Sequence, residues 1–407
     1  MELHNVIDRQ NLQAFHPFTR LRSLLDNIPA GPAPRGASAP LALSIGEPKG
    51  QPPAFVAEEI AANAGEWSRY PPGRGSTVYL EACTAWLQRR YEIPAGIIDP
   101  QRHVLALPGT REGLFFATMA TVPQTAETPD APPPVVLIPN PFYHVYAGAA
   151  VAAGAEPVFL PTSSETGFLP DYQAVPEEIL KRTALCILCS PSNPQGAAAN
   201  RRQLADLLTL ARKHDFVVAF DECYAEIYTR TPPAGALDVV DQLGGSLDNL
   251  LVFHSLSKRS NAAGLRCGFA AGNEKLINAL NAIMLVGGAG VPLPVMAAGT
   301  RLWRDDTHVE AIRAFYQANF EIAQQVLGNR FGFSIPDGGF FLWLDVGDGE
   351  AAAKRLWQEA GIRVLPGAYM SVADNEGYNP GAKYIRIALV FDAEVTKAAL
   401  GRIAEIL

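Results

Sequence analysis

LLVFHSLSKRSNAAGLRCGF, residues 250–269, decides how this chain is read. Four apolar residues run directly into a polar turn that sets Lys258 among serines and ends near Arg266. Continuous rather than alternating hydrophobicity is the mark of a strand covered on both faces. A lysine at the end of such a strand normally reaches water or meets a carboxylate, so alone it reads as a solvated loop residue. The rest of the chain decides whether Lys258 has a ligand.

Apolar runs of the same kind recur at residues 103–107, 135–138, 157–160, 185–189 and 216–220, separated by helix-like segments at 111–121, 143–153 and 201–214. That alternation predicts an α/β fold with a mostly parallel sheet covered by helices. Ligands of such sheets collect beyond the carboxyl ends of the strands. Those ends carry Gly109, Thr110 and Arg111, then Tyr143, Asn193, Asp221 with Tyr224, and Ser255, Ser257 and Lys258. From about residue 300 the pattern changes to an amphipathic segment at 309–327 and strand-like runs at 338–344 and 384–388. We read a large domain over 45–300 and a smaller α+β domain made of 1–44 and 301–407. Residues 29–40 form a Pro/Gly/Ala connector, and 124–134 a polar, Pro-rich surface loop.

The totals exclude several classes. A chain of 407 residues is comfortable for two domains. Its formal net charge of -8, with no block of Lys or Arg, argues against a nucleic-acid surface. No apolar stretch is long enough to span a bilayer and no secretion signal opens the chain, so no membrane partner is expected. The five cysteines lack a disulfide spacing, and Cys186 and Cys189 lie inside an apolar run that reads as core rather than metal or redox site. A reducing cytoplasm fits this usage.

The rim residues suit one cofactor chemistry. A deprotonated lysine attacks an aldehyde, and burial lowers its pKa toward that state. If the aldehyde belongs to pyridoxal phosphate, the phosphate needs hydroxyls, helix N-terminal amides and a guanidinium. The pyridine nitrogen needs a buried carboxylate, and the ring an aromatic neighbour. Thr110, Ser255, Ser257 and Arg266 supply the first set. Asp221 ends an all-apolar run, where an unpaired charge is costly and a partner is expected.

"SPSNPQG" (190–196), "DECY" (221–224) and "SLSKRSNAAGLRCGF" (255–269), in that order, resemble the signatures of class I/II aminotransferases of the fold-type-I pyridoxal-phosphate superfamily. The likeness runs from about Leu43 to Arg386. It implies an aspartate aminotransferase-like fold with a seven-stranded sheet, and a homodimer. It further implies that Lys258 bonds the cofactor aldehyde and then moves the substrate proton, that Asp221 holds the pyridinium, and that Tyr224 and Asn193 bind the ring oxygen. Gly109, Thr110, Arg111, Ser255, Ser257 and Arg266 are expected around the phosphate, and Tyr143 on the ring face. Tyr70, in "SRYPPGRGS", matches the position that reaches the partner subunit's phosphate. Arg386 is expected to clamp the substrate α-carboxylate, with Gly46 closing over it.

His254 and His144 read as packed or solvent-facing, and Glu222 as pointing away from Asp221 along the strand. The segments "LQAFHPFTRLRSLL", "RYPPGRG" and "SPSNPQG" resemble most the bacterial succinyldiaminopimelate aminotransferase subgroup. That likeness implies a long diacid substrate with glutamate and 2-oxoglutarate as the second pair. Arg20, Arg22 and Arg74 are the candidate cations for its distal carboxylate, and the small-residue loop 287–290 would give the pocket room. An aspartate, aromatic or alanine aminotransferase, or a β-lyase on the same scaffold, remains open from the sequence.

Overall fold

A computed structural model of the protein describes residues 16–123 and 131–407. The opening residues of the predicted small domain and most of the predicted 124–134 loop lie outside the described residues.

Seven strands form the central sheet: β1 (Val104–Leu107), β2 (Val135–Asn140), β3 (Glu156–Pro161), β4 (Thr183–Cys189), β5 (Val217–Asp221), β6 (Leu250–Ser255) and β7 (Gly268–Gly272). Their spatial order is β1-β7-β6-β5-β4-β2-β3. All neighbours run parallel except β7, which is antiparallel to both β1 and β6. The Val-, Ile- and Leu-rich strands β2, β5 and β6 are covered on both faces, each by its own apolar layer. Edge strand β3 carries prolines and stays half-exposed, as an edge tolerates. The sequence runs did not announce β7, because its small residues, GFAAG, read as a turn.

Helices α1 (Pro17–Leu25), α2 (Thr110–Thr121), α3 (His144–Ala152) and the one-turn α4 (Leu256–Arg259) bear on the site. The last of these places Lys258. Ser255 caps it by accepting from the Ser257 amide at 3.1 Å. Arg259 anchors it from behind: its buried guanidinium donates to the Leu302 carbonyl at 2.7 Å, pairs with Asp306 and lies 5.1 Å from the Trp303 ring centroid.

A second, antiparallel sheet joins β8 (Phe341–Asp345), β9 (Leu365–Pro366) and β10 (Tyr384–Ala388), with β10 in the middle. The helix α5 (Thr307–Leu327) and the C-terminal helix Ala393–Ile406 share a core with this sheet. The early chain packs here too. Leu41 and Ala42 pair in parallel with Ile362 and Arg363, and Leu21 and Leu25 of α1 bury against Leu365, Tyr369 and Met370. The space between the two sheets is where the polar rim converges.

Candidate active site

A cavity of about 510 Å3 opens beyond the carboxyl ends of β1, β2, β4, β5 and β6, walled opposite by β10 and the start of α1. Of the residues expected from the sequence, Thr110, Arg111, Tyr143, Asn193, Asp221, Tyr224, Ser255, Ser257, Lys258, Arg266, Arg386 and Gly46 all line it.

Lys258 donates to the Gly46 carbonyl. Burial lowers its pKa to about 8, with the nearby Arg386 and Arg111 adding to the fall and Cys223 opposing it. The amine is therefore far closer to its nucleophilic form at neutral pH than an exposed lysine.

Asp221 ends β5 at 3 % exposure and forms no ion pair among the described residues. It accepts from the Tyr146 hydroxyl at 2.7 Å and from the Cys223 amide at 3.3 Å. Burial still raises its pKa, more than these bonds lower it. A buried carboxylate this short of charge is complementary to a cation from outside the chain. Tyr146 was missed in the sequence, although it lies three residues after Tyr143 and so shares its helix face.

Arg386, in the middle strand of the second sheet, is 4 % exposed. It donates to Asn193 Oδ1 at 2.8 Å and to the Ser44 carbonyl at 2.6 Å, while its Nε has no partner among the described residues. Burial lowers its pKa to about 10. A guanidinium held by neutral acceptors alone is a ready site for a carboxylate.

At the other strand ends, Thr110 and Arg111 of the first turn of α2 line the cavity, and among the described residues no side chain caps that turn, so its amides are available to an anion. Gly109 does not line the cavity itself. A Cβ there would overlap the Arg266 guanidinium, so glycine is what allows Arg266 to lie against the α2 start. Arg266 holds Glu112 with both carboxylate oxygens, at 3.0 and 2.8 Å, and the Ser255 and Ser257 hydroxyls are 2.9 Å apart. The Tyr143 hydroxyl accepts from Arg111 Nε at 2.9 Å, and the Tyr224 hydroxyl has no partner among the described residues. Anion donors, an unpaired buried carboxylate, an unbonded phenol and a lysine of lowered pKa, all in one cavity, fit pyridoxal phosphate.

A family model described as aminotransferase class I and II matches residues 39–405. The chain belongs to this family. Class I/II aminotransferases of this fold depend on pyridoxal phosphate and pass an amino group between an amino acid and a 2-oxo acid. An LL-diaminopimelate aminotransferase of Moorella thermoacetica is 30% identical over 376 residues, covering 90% of each chain. An aminotransferase of Neisseria meningitidis superposes with a TM-score of 0.88 at 37% identity, covering 96% of both chains. Aminotransferase AspB of Helicobacter pylori gives 0.84 at 34% identity, covering 96% of this chain and 97% of its own. The α/β architecture with its mostly parallel sheet is that of these enzymes.

Several expectations about the aminotransferase site need correction. His144 is not a bystander: it lines the cavity at the head of α3. Arg20, Arg22 and Arg74 do not line it. Arg20 lies over the Tyr369 ring and donates to the Ala368 carbonyl, Arg22 reaches back to Thr19, and Arg74 is tied to Asn278 and to the carbonyls of Arg102 and Val104. The 287–290 loop is absent from the lining too, and a Cβ on Gly290 would press on Pro71. Tyr70, expected at a partner subunit's phosphate, is fully exposed in the single chain. Glu222 does point behind the sheet, and His254 is buried there beside it. Among the described residues no cluster of ligands suits a metal, and Cys186 and Cys189 are buried with their thiol pKa values pushed up by burial.

Proposed function

We propose that the protein is an aminotransferase for a long amino diacid, N-succinyl-LL-diaminopimelate, working with glutamate and 2-oxoglutarate. The observation that carries the reading is the triple of Lys258, uncompensated Asp221 and carboxylate-free Arg386 in one cavity. Pyridoxal phosphate, when bound, supplies an aldehyde to accept the amino group and a ring that absorbs the electron pair left when the Cα proton departs.

The chain's residues do the rest. Thr110, Arg111, Ser255, Ser257, Arg266 and the α2 amides seat the phosphate, with Gly109 leaving room for Arg266. Asp221 keeps the ring nitrogen protonated, steered by Tyr146. Tyr224 and Asn193 hold the ring oxygen, and Tyr143 covers the ring face. Arg386 binds the α-carboxylate bidentately and Asn193 fixes its orientation. Gly46 closes over the α-carboxylate. Lys258, its pKa lowered to about 8, would take the proton from the substrate Cα and hold it for return.

The active unit we infer is a homodimer. Tyr70 is 100% exposed and Val286 92% exposed, with Trp67, Val78 and Leu285 also open to solvent. The segments bearing them adjoin, since a Cβ on Gly73 would meet Leu285. An apolar patch of this make-up is suited to burial against a second copy. Tyr70 would then reach the partner's phosphate. Tyr70→Phe is expected to weaken cofactor binding by about 1.5–3 kcal/mol, one charge-assisted hydrogen bond. Cofactor titration checks this, and active monomers by light scattering refute the shared site. We take 45–300 and 1–44 with 301–407 as the two domains flanking the cleft. The five free cysteines, four of them buried, support a cytoplasmic location.

The name carried by the Moorella relative favours a second substrate, unacylated LL-diaminopimelate. The test is an absorbance assay of the half-reaction at equal concentrations of both diaminopimelates, aspartate, phenylalanine and alanine. One diaminopimelate should be fastest, with glutamate able to donate in the same assay. If aspartate or phenylalanine is fastest, the long-diacid reading falls and the aminotransferase remains.

A further inference from the structure

The cavity that holds Arg386 is also lined by the apolar side chains of Phe18, Ile45 and Phe341 and by the imidazole of His144, with His16 packed behind that ring. His144 stands edge-on to Tyr143, centroids 4.6 Å apart, and to His16, centroids 5.0 Å apart. These contacts hold the ring in place, yet among the described residues neither of its nitrogens has a hydrogen-bond partner. His16 is differently placed: as the cap of α1, its Nδ1 accepts from the Thr19 amide at 3.3 Å. That bond assigns the hydrogen to Nε2, leaving it able to donate. The acidic group at this rim, Glu47, is engaged by Lys49 at 3.2 Å.

A cavity lined by a guanidinium, by apolar side chains and by an imidazole with unbonded nitrogens suits a ligand with two acidic ends and an aliphatic spacer. We infer that His144, supported by His16, is the contact for the distal carboxylate of the substrate, in place of an arginine. This rests on the aminotransferase reading above and specifies its substrate pocket. Burial above all, then the nearby His16, Arg111 from α2 and Arg386 from β10, lower the His144 pKa to about 4. The free imidazole is thus neutral at pH 7 and donates through its N–H. An arriving carboxylate offsets the surrounding positive charge instead of meeting a negative one.

Two compounds of equal length isolate this contact: L-2-aminopimelate, with a distal carboxylate, and L-2-aminoheptanoate, without one. In the holoenzyme, the ratio of their kcat/KM values should favour the diacid. In His144→Phe, which keeps a ring and loses both nitrogens, that ratio should fall roughly 10- to 100-fold, the size of a charge-assisted hydrogen bond. His144→Gln, with an amide donor, should recover part of it. An unchanged ratio in His144→Phe overturns the inference. Pimelate and heptanoate titrations of the same holoenzymes require no turnover and separate the two failures. If neither these amino acids nor glutamate or either diaminopimelate is converted, the proposed function falls. A wild-type preference for pimelate that disappears in His144→Phe still supports the subsite, and no such preference refutes it.

Discussion

Asp221 and Glu222 are adjacent, both buried, and opposite in fate. Glu222 points behind the sheet, where it accepts from the Tyr91 hydroxyl at 2.6 Å and the Ala236 amide at 2.7 Å, with His254 Nε2 at 3.2 Å. Burial alone would raise its pKa, but these partners outweigh burial and hold it low. Asp221 faces the cavity with a phenol and an amide for company, and its pKa goes up. The protein satisfies one carboxylate itself and leaves its neighbour incomplete. That contrast separates a structural group from one reserved for a ligand, and it follows from strand alternation, which sends successive side chains to opposite faces.

The largest test of the contrast is Asp221→Ala. With the ring nitrogen no longer held protonated, the transamination rate should fall by orders of magnitude, about a thousandfold or more, while phosphate contacts retain much of the cofactor affinity. Single-turnover absorbance measures it, and near-normal turnover breaks the pairing. Glu222→Gln should do the reverse, losing about 1–3 kcal/mol of stability from a disrupted buried network while the chemical step stays within a few-fold. Denaturant unfolding of the cofactor-free protein reads the first effect and single-turnover kinetics the second.

The same variant has a pH signature. A folded pKa below the unfolded value means that Glu222 stabilises the protein fully above the ordinary glutamate range. That contribution disappears as pH falls through the lowered folded value. The stability gap between wild type and Glu222→Gln should therefore be widest at neutral pH and close in acid; a gap that widens in acid contradicts the network. Tyr146→Phe should have the smallest effect, since it removes one of two bonds to Asp221. About 1 kcal/mol, or roughly fivefold in rate, is expected from the same kinetics.

Much of this was legible in the sequence, and the limits have physical causes. Six of the seven central strands announced themselves as apolar runs, most because both sheet faces are covered and edge strand β3 despite being half-exposed, and Asp221, Asn193 and Lys258 followed as polar residues at strand ends. Antiparallel β7 was hidden by its Gly and Ala content. Tyr146 could have been found from its three-residue spacing after Tyr143. His144 could not, because the apolar context of α3 gives no sign that its first residue faces a cavity. The distal arginines failed for a related reason: charge in a sequence shows no direction, and Arg20, Arg22 and Arg74 all turn to local carbonyl, hydroxyl, amide or ring partners. Tyr70 and the 287–290 loop belong to the surface that the proposed homodimer would bury.

The central claim is that the incomplete face of the sheet exists to hold pyridoxal phosphate against Lys258. Borohydride reduction of the cofactor-loaded protein, followed by peptide mapping, tests it most directly. The prediction is a single reduced adduct on the peptide containing Lys258, lost in Lys258→Ala together with transamination. An adduct on another lysine, such as Lys275, or none at all, would contradict it.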